Sequence, residues 1–570
     1  MSTFRTPLSV LHERSETHGT WTALKVPVQD DSGTSWKSIT FPEFCGDIDK
    51  CAAYWAGTLS KGAGQSRLVV GLWLEGSTYS DLLHIWAVMR AGHIPQLISV
   101  KLTDSSVVLQ VLKAAGAGAL IYDARFEGSI ADCPLPKHPA KTAYDTVEDV
   151  PLAPVWTPSD PDDVVMIYHT SGSTSGIPKS VPLLAGWMES LFNKLFQMER
   201  MFPSSHEQQM GISVGSFSHV GNGTLLLESI CRGDCFILPT RLPYPTSELR
   251  QVIKECGLTR LNMFPSILSG VIRMARQDES LLLLLKQLDY IAYGGGVMDP
   301  TQEAWARSQG LRLLNIFAST EVGIMLASDI SSNPELTEAS LKPMPGFYHE
   351  FIPVSGVAND GNTLLELVVP PDSPDCPVAS LRDPQDGKFH TGDLFIETSP
   401  GQYLTKGRND DWIKMEMALR CDTSAIEGNA MDTCGDDIIG AVVVVGEGRP
   451  SPAMVVELKD DCSLTASRPG NESTTFGVEQ EILRRTRPFH TRRYMHERID
   501  DARLILVVPL GSLPRTAAKG NIRRKEVERM LKAELDRMYS EVKGDVAETL
   551  DAKQSGQLTA IHEVVKDIRS

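Results

Sequence analysis

The stretch Tyr168–Val181, YHTSGSTSGIPKSV, decides how the rest of this chain is read. An apolar strand, Val164–Tyr168, runs into a loop of Ser, Thr and Gly, then into Pro178 and Lys179, and an amphipathic pattern of helical period follows over Gly186–Met201. Glycines let backbone N–H groups turn into one cavity, hydroxyls add donors, and a lysine adds a positive point charge; together these suit a polyphosphate. A flexible Ser/Gly linker has no reason to lie between a buried strand and a helix, or to end in Pro-Lys. Nor is this the P-loop of nucleoside triphosphatases, because no Gly-Lys-Ser/Thr closes it.

On both sides of the loop, short apolar runs alternate with helix-like stretches. Leu68–Leu74, Ser80–Arg90 and Ala119–Tyr122 precede it; Ile212–Val214, Cys235–Leu238, Arg260–Phe264 and Leu311–Phe317 follow. Such alternation predicts α/β layers with largely parallel sheets. Beyond Gly407–Lys414 (GRNDDWIK) roughly a hundred residues carry their own strands, Ala441–Val445 and Arg503–Val508, enough for one small domain. The expected division is therefore 1–407, 408–540 and 541–570. Val369–Asp386, rich in Pro and Asp, reads as a surface loop. In the last segment Ile561, Val564, Val565 and Ile568 share one helical face, which reads as the opening of a further unit in a longer protein.

The chain has 570 residues, 42% of them hydrophobic, which suits sizeable cores. Its net charge of −17 repels phosphate backbones and anionic membranes, so neither a nucleic acid nor a membrane is an expected partner. The N-terminus lacks an apolar signal core, and no run of about 18 apolar residues occurs; a cytoplasmic location is expected. Ten cysteines are thinly spread without a CxxC pair, which suits reduced, mostly buried thiols.

The loop resembles that of the adenylate-forming superfamily, which includes acyl-CoA synthetases, peptide-synthetase adenylation domains and luciferase. Thr170, Ser171, Gly172, Ser173, Thr174, Gly176, Pro178 and Lys179 match its pattern; Ser175 is an insertion and Ser180 replaces a closing Gly. Further segments resemble the family's motifs in order: Tyr293–Gly296 (YGGG), Asn315–Gly323 (NIFASTEVG), His390–Asp393 (HTGD), GRNDDWIK, and Pro514–Arg523 (PRTAAKGNIR). Each alone has a bland reading, as a turn, a solvated face or a hairpin loop.

The resemblance implies a fold: a large N-terminal domain of layered α/β subdomains with mostly parallel sheets, and a small, mobile α+β C-terminal domain. It also implies ATP and Mg²⁺ as cofactors. The serine–threonine–glycine loop, with Gly295, Gly296 and Asn315, would border the nucleotide. Phe317 would lie near adenine, Thr320 at phosphate, Glu321 on Mg²⁺, Asp393 on the ribose hydroxyls and Arg408 at the ribose. Asp410 would be a hinge. Lys519 would stand between carboxylate and α-phosphate, with Lys525 the alternative because the order here is Lys-Gly.

Ser216–Gly223 (SFSHVGNG) takes the place of the substrate-lining segment. Phe217, Ser218 and His219 stand where amino-acid-activating domains present an Asp, so the implied carboxylic acid lacks an α-amino group and is aromatic or small. Gly294 and Phe264, the latter in a Phe264–Ser266 wall, complete that pocket. A lone His is more often a packed core residue, the competing reading for His219. The run DWIK…LRCDT resembles fungal synthetase-like carboxylic acid reductases, which implies phosphopantetheine on a carrier domain as acceptor. No GxGxxG opens a helix after a strand, so no reductase domain is expected within the chain. A stand-alone acyl- or aryl-CoA ligase and a catalytically silent nucleotide-binding protein are the alternatives.

Overall fold

Val69–Trp73, from the apolar run LVVGLWL, is buried almost throughout, as a strand covered on both faces must be. In the computed structural model it pairs in parallel with Ile94–Ile98 and Ala119–Tyr122, in a sheet that ends on Val164–Thr170 and Lys179–Leu184. The connecting helix Tyr79–Arg90 starts in a capping box formed by Thr78 and Asp81, which satisfies the free N–H groups of its first turn. The structure describes residues 4–542 except 32, 60–66, 101, 103, 141–151, 171–177, 203, 205, 297, 331–339, 358–361, 410–411, 416–419, 461, 463–474, 492, 494–496 and 517–519. The expected helix at 561–568 lies outside the described residues.

Contacts divide the chain into two units, the first holding Met1–Val354 and Thr363–Lys406, the second Ser355–Asn362, Gly407–Thr516 and the chain from Gly520. A second sheet of the first unit has a parallel centre, in spatial order Cys235–Ile237, Met210–Ser213, Arg260–Met263, Tyr290–Gly294 and Leu313–Ser319. Helices such as Val220–Arg232 and Pro265–Ala275 connect these strands, and the antiparallel Gly323–Ser328 follows the last. In the second unit, Ile439–Val445, Ala453–Leu458 and Ile505–Val508 form a sheet with one antiparallel and one parallel pairing. The helices Thr423–Cys434 and Thr475–His490 supply Ile426, Cys434, Val478 and Ile482 to its separate core. Large α/β and small α+β parts thus match the expected architecture.

All ten cysteines are free, nine of them buried. Among the described residues no helix is long and apolar enough to cross a membrane.

Two expectations change. The loop after Val164–Thr170 does not run into a helix. It joins that strand to the antiparallel Lys179–Leu184, with Thr170 opposite Lys179, and the helix Ala185–Met201 comes only afterwards. Lys179–Leu184 escapes a sequence reading because Pro182 interrupts a short run that merges into the helical pattern.

The Pro/Asp-rich stretch is also not simply a surface loop: Ser373, Asp375 and Cys376 are buried. Lys194 Nζ donates to Asp375 at 2.7 Å and to the Ile324 carbonyl at 3.1 Å, and Ser190 Oγ donates to Asp375 at 2.8 Å. Both charged side chains are 2% exposed. Breaking such a pair from one side leaves an uncompensated buried charge. Asp375→Ala is expected to lower unfolding free energy by about 3–5 kcal/mol, and the double variant Lys194→Met/Asp375→Leu to recover most of it. Urea unfolding of the three proteins measures this; a single-variant loss below about 1 kcal/mol would contradict it.

Candidate active site

Four of the singled-out segments begin where a strand of the parallel centre ends. Met210–Ser213 leads into Ser216–Gly223, Arg260–Met263 into Phe264, Tyr290–Gly294 into the glycine turn, and Leu313–Ser319 into Thr320 and Glu321. The strands are neighbours in that order. Segments spread from Ser216 to Glu321 in sequence therefore line one edge, the carboxyl edge where open α/β sheets bind ligands.

The glycine turn is set by contact. Tyr293 lies opposite Asn315, and Gly294 opposite Ile316. A Cβ on Gly294 would lie 2.5 Å from the Ile316 carbonyl oxygen, so only glycine allows this approach. Gly295 has φ +79°, and its Cβ position faces the Phe264 ring at 3.6 Å; that of Gly296 faces Pro265 at 3.7 Å.

His219 is the N-cap of Val220–Arg232, its Nδ1 accepting the Gly221 N–H at 3.1 Å. Its ring meets Phe264 edge-on at 5.4 Å between centroids. His219, Phe264 and Gly295 are thus contiguous. Phe217 is not with them: it is 3% exposed and packs against Phe236 in the core.

Glu321 and Thr320 are half-buried at the turn into Gly323–Ser328. The turn is pinned by Val322 N–H donating to Ser319 Oγ at 3.2 Å and by the Trp187 indole donating to the Glu321 carbonyl at 3.2 Å. Among the described residues no group of three or more His, Cys, Asp or Glu is arranged for a metal. A single carboxylate beside hydroxyls nevertheless fits Mg²⁺, which keeps few protein ligands and takes most of its oxygens from phosphate and water.

Phe317, half-buried, meets Phe395 edge-on at 5.1 Å. Phe395 is two residues after Asp393 in Phe389–Ser399, just past an irregularity in that strand's pairing. This brings HTGD beside NIFASTE. Thr391 Oγ1 donates to the Leu367 carbonyl at 2.8 Å and accepts the Asp393 N–H at 3.0 Å, while Gly392 N–H donates to Glu366 at 3.1 Å. His390 points to Glu366 and Asp386; burial opposes its charge, but these two carboxylates raise its pKa. The sequence gives no local sign of Glu366, 26 positions away.

At the polyphosphate loop, Thr170 and the exposed Lys179 form the described mouth; Ser171, Gly172, Ser173, Thr174 and Gly176 lie outside the described residues. His169, directly before Thr170, stands inside the same motif. His169 Nδ1 donates to the Leu97 carbonyl at 3.0 Å, and Gln96 Nε2 donates to His169 Nε2 at 3.1 Å. Burial pushes its pKa down to about 4, so a neutral ring anchors the strand end.

In the second unit, Arg408 is exposed at the end of Gln402–Arg408, while Asp410 and Lys519 lie outside the described residues. The base of the Lys519 segment is a tight hairpin. Thr516 N–H donates to the Asn521 carbonyl at 2.8 Å, Asn521 N–H to Thr516 Oγ1 at 3.1 Å, and Gly520 N–H to the Thr516 carbonyl at 2.9 Å. Gly520 has φ +70°, a physical reason for glycine to follow the lysine in this order. Below it, Glu457, 1% exposed, accepts from Arg515 at 2.6 Å and from the Leu513 N–H at 2.8 Å. Lys525 is exposed on the short helix Arg524–Met530.

Residues 11–348 match the AMP-binding enzyme family, and residues 410–543 the AMP-binding enzyme C-terminal domain. The chain is 33% identical over 530 residues to the AMP-binding domain-containing enzyme iboA of Amanita muscaria, covering 89% of this chain and 98% of that one. It is 22% identical to the adenylate-forming reductase stbB of Stachybotrys bisbyi, covering 88% of this chain but 46% of the reductase. O-succinylbenzoate coenzyme A synthetase from Bacillus subtilis, solved with AMP, shares the fold with a TM-score of 0.66 at 17% identity, over 91% of this chain and 98% of that one. With its motifs gathered at one sheet edge and both family domains matched in order, the chain belongs to the AMP-binding enzyme family, the adenylate-forming enzymes that activate carboxylic acids.

Proposed function

We propose that the chain uses ATP and Mg²⁺ to convert a carboxylic acid without an α-amino group, aromatic or small, into its acyl-adenylate. A phosphopantetheine thiol on a carrier domain then receives the acyl group. The observation that carries this reading is the alignment of His219, Phe264, the glycine turn and Glu321 along the ends of four adjacent parallel strands. One carboxylate oxygen attacks the α-phosphorus and the bond to pyrophosphate breaks; the thiolate then attacks the acyl carbon and AMP leaves.

Two anions must approach in line, so the work falls to positioning and electrostatics. Glu321 would hold Mg²⁺, which would supply positive charge to offset that of the pyrophosphate. Thr170, Ser171, Gly172, Ser173, Thr174, Gly176 and Lys179 hold the phosphates. Asn315, Phe317, Asp393 and Arg408 orient the nucleoside. Lys519 supplies a point charge between the reacting groups. The small domain, 408–540, turns about Asp410 between the half-reactions. Phe217 acts only from behind this pocket, through the core.

A second reading is a stand-alone acyl- or aryl-CoA ligase. Product formation with free CoA, against a phosphopantetheinylated carrier, separates the two. ATP binding without acid-dependent pyrophosphate exchange would instead mark a silent nucleotide-binding protein.

Glu321→Gln removes one charge beside the pyrophosphate. Its kcat/KM for ATP in pyrophosphate exchange is expected to fall about 100-fold, with a raised Mg²⁺ requirement. Wild-type behaviour at low Mg²⁺ would take Glu321 out of the site.

Lys519→Ala is expected to slow adenylate formation by about 100- to 1,000-fold, yet barely affect transfer from a supplied acyl-adenylate to the thiol. Asp410→Pro, which fixes φ at the pivot, is expected to form adenylate and transfer it slowly. Single-turnover assays of each half-reaction test this. Loss of the same half-reaction in both variants would refute the hinge; normal adenylation by Lys519→Ala would transfer the role to Lys525.

A further inference from the structure

The first turn of Ala185–Met201 is tied to both elements that face the phosphates. Its N-cap, Leu184, makes no side-chain bond, so the free N–H groups of the turn are closed from the root of the phosphate hairpin instead. Ala185 N–H donates to the Asp163 carbonyl at 2.9 Å and Gly186 N–H to the Pro161 carbonyl at 2.9 Å. A Cβ on Gly186 would lie 3.1 Å from Pro161 Cβ, so the turn is closely seated there. From this turn Trp187, 4% exposed, reaches the other element: its indole N–H donates to the Glu321 carbonyl at 3.2 Å.

The hairpin and Glu321 belong to different sheets. Val164–Thr170 and Lys179–Leu184 end the six-stranded one, whereas Leu313–Ser319 and Gly323–Ser328 lie in the larger. Among the described residues no backbone ladder joins the two, so side chains set their spacing. Trp187 does this at a single peptide unit. The other polar group of that unit, Val322 N–H, donates to Ser319 Oγ at 3.2 Å, so the peptide between Glu321 and Val322 is held on both sides. Gly323 follows with φ +76°, and its Cβ position lies 3.0 Å from Trp187 Cζ2, so a glycine there lets the ring close on the turn. A buried indole N–H needs an acceptor in any case. The choice of the Glu321 carbonyl is what bears on the chemistry.

We propose that Trp187 is a positioning residue for ATP use: by fixing the Glu321–Val322 peptide it sets the Glu321 carboxylate in register with the phosphate hairpin. This rests on the assignment of Glu321 to Mg²⁺ above. Mg²⁺ tolerates little departure from octahedral geometry, so a group that orients its protein ligand bears directly on affinity. Trp187 acts only through Glu321.

Trp187→Phe keeps a ring against Gly323 and deletes the N–H donor. The test is calorimetric binding of ATP, once with Mg²⁺ and once with EDTA in its place. The Kd for Mg–ATP is expected to rise about 10-fold, and that for metal-free ATP to stay within about 2-fold. Pyrophosphate exchange is expected to need more Mg²⁺, with the KM for the acid unchanged. In a Glu321→Gln background the same change is expected to cost less than about 2-fold in Mg–ATP binding, because the charge it orients is gone. Ser319→Ala, which frees the other side of the peptide, is expected to weaken Mg–ATP binding selectively as well, and it decides the matter if Trp187→Phe does not fold. Equal weakening with and without Mg²⁺, no weakening at all, or a full effect added to that of Glu321→Gln would overturn the proposal and leave Trp187 a packing residue. So would wild-type Mg–ATP binding by Ser319→Ala. If Glu321→Gln itself left Mg–ATP binding unaltered, the parent assignment would fall, so the two failures look different.

Discussion

The approach of Gly294 to the Ile316 carbonyl is the constraint on which the site depends. It lets Tyr290–Gly294 and Leu313–Ser319 run side by side to their ends, with Tyr293 opposite Asn315. A side chain at 294 would force these strands apart where the glycine turn and the Thr320–Glu321 turn emerge. The same parallel register carries on through Arg260–Met263 to Met210–Ser213. Binding elements from four places in the sequence therefore inherit their spacing, roughly 4.8 Å per strand, from backbone hydrogen bonds rather than from contacts among themselves.

Aromatic packing extends the frame sideways. Phe317 meets Phe395, Phe395 meets Phe351 at 5.4 Å, and Phe351 stacks on Tyr403 at 3.8 Å. These rings come from separate strands and carry the Asp393 strand with them. Edge-on and stacked aromatic pairs add orientation to burial, so Asp393 is placed by a chain of neighbours as well as by its bond to Thr391.

Much of this was legible in the sequence because parallel strands buried on both faces read as continuous apolar runs, and the helices between them keep their own period. Ala119–Tyr122 matches its expected bounds, and most other ends moved by a residue or two, as capping settles them. Three features were hidden for physical reasons. Lys179–Leu184 carries a proline and abuts a helix, so neither period stands out. Asp375 looks solvated by composition, and its buried partners, Ser190 and Lys194, lie 185 and 181 positions away. Phe217 and His219 are two apart in one segment, yet one turns to the core and the other to Phe264; a turn followed by a helix start obeys no simple alternation. At the site, residue types and their order were readable. The partners that hold them, Gln96, Glu366 and Glu457, were not, because each acts across a long stretch of chain.

The hairpin at Thr170 and Lys179 carries a consequence for how nucleotide is held. Lys179 opens a strand of six residues, so about 20 Å of extended chain separate it from the helix Ala185–Met201. Proteins that place a phosphate loop directly on a helix start gain from the aligned peptide dipoles there. Here the loop leads into a strand, whose dipoles largely cancel, so the attraction must come from hydroxyls, N–H groups and discrete charges. Lys179 is exposed, and at ordinary ionic strength a charge in solvent is screened over about 10 Å. Capture of the nucleotide by this protein should accordingly weaken as salt rises, more steeply than in enzymes that lean on a buried helix terminus.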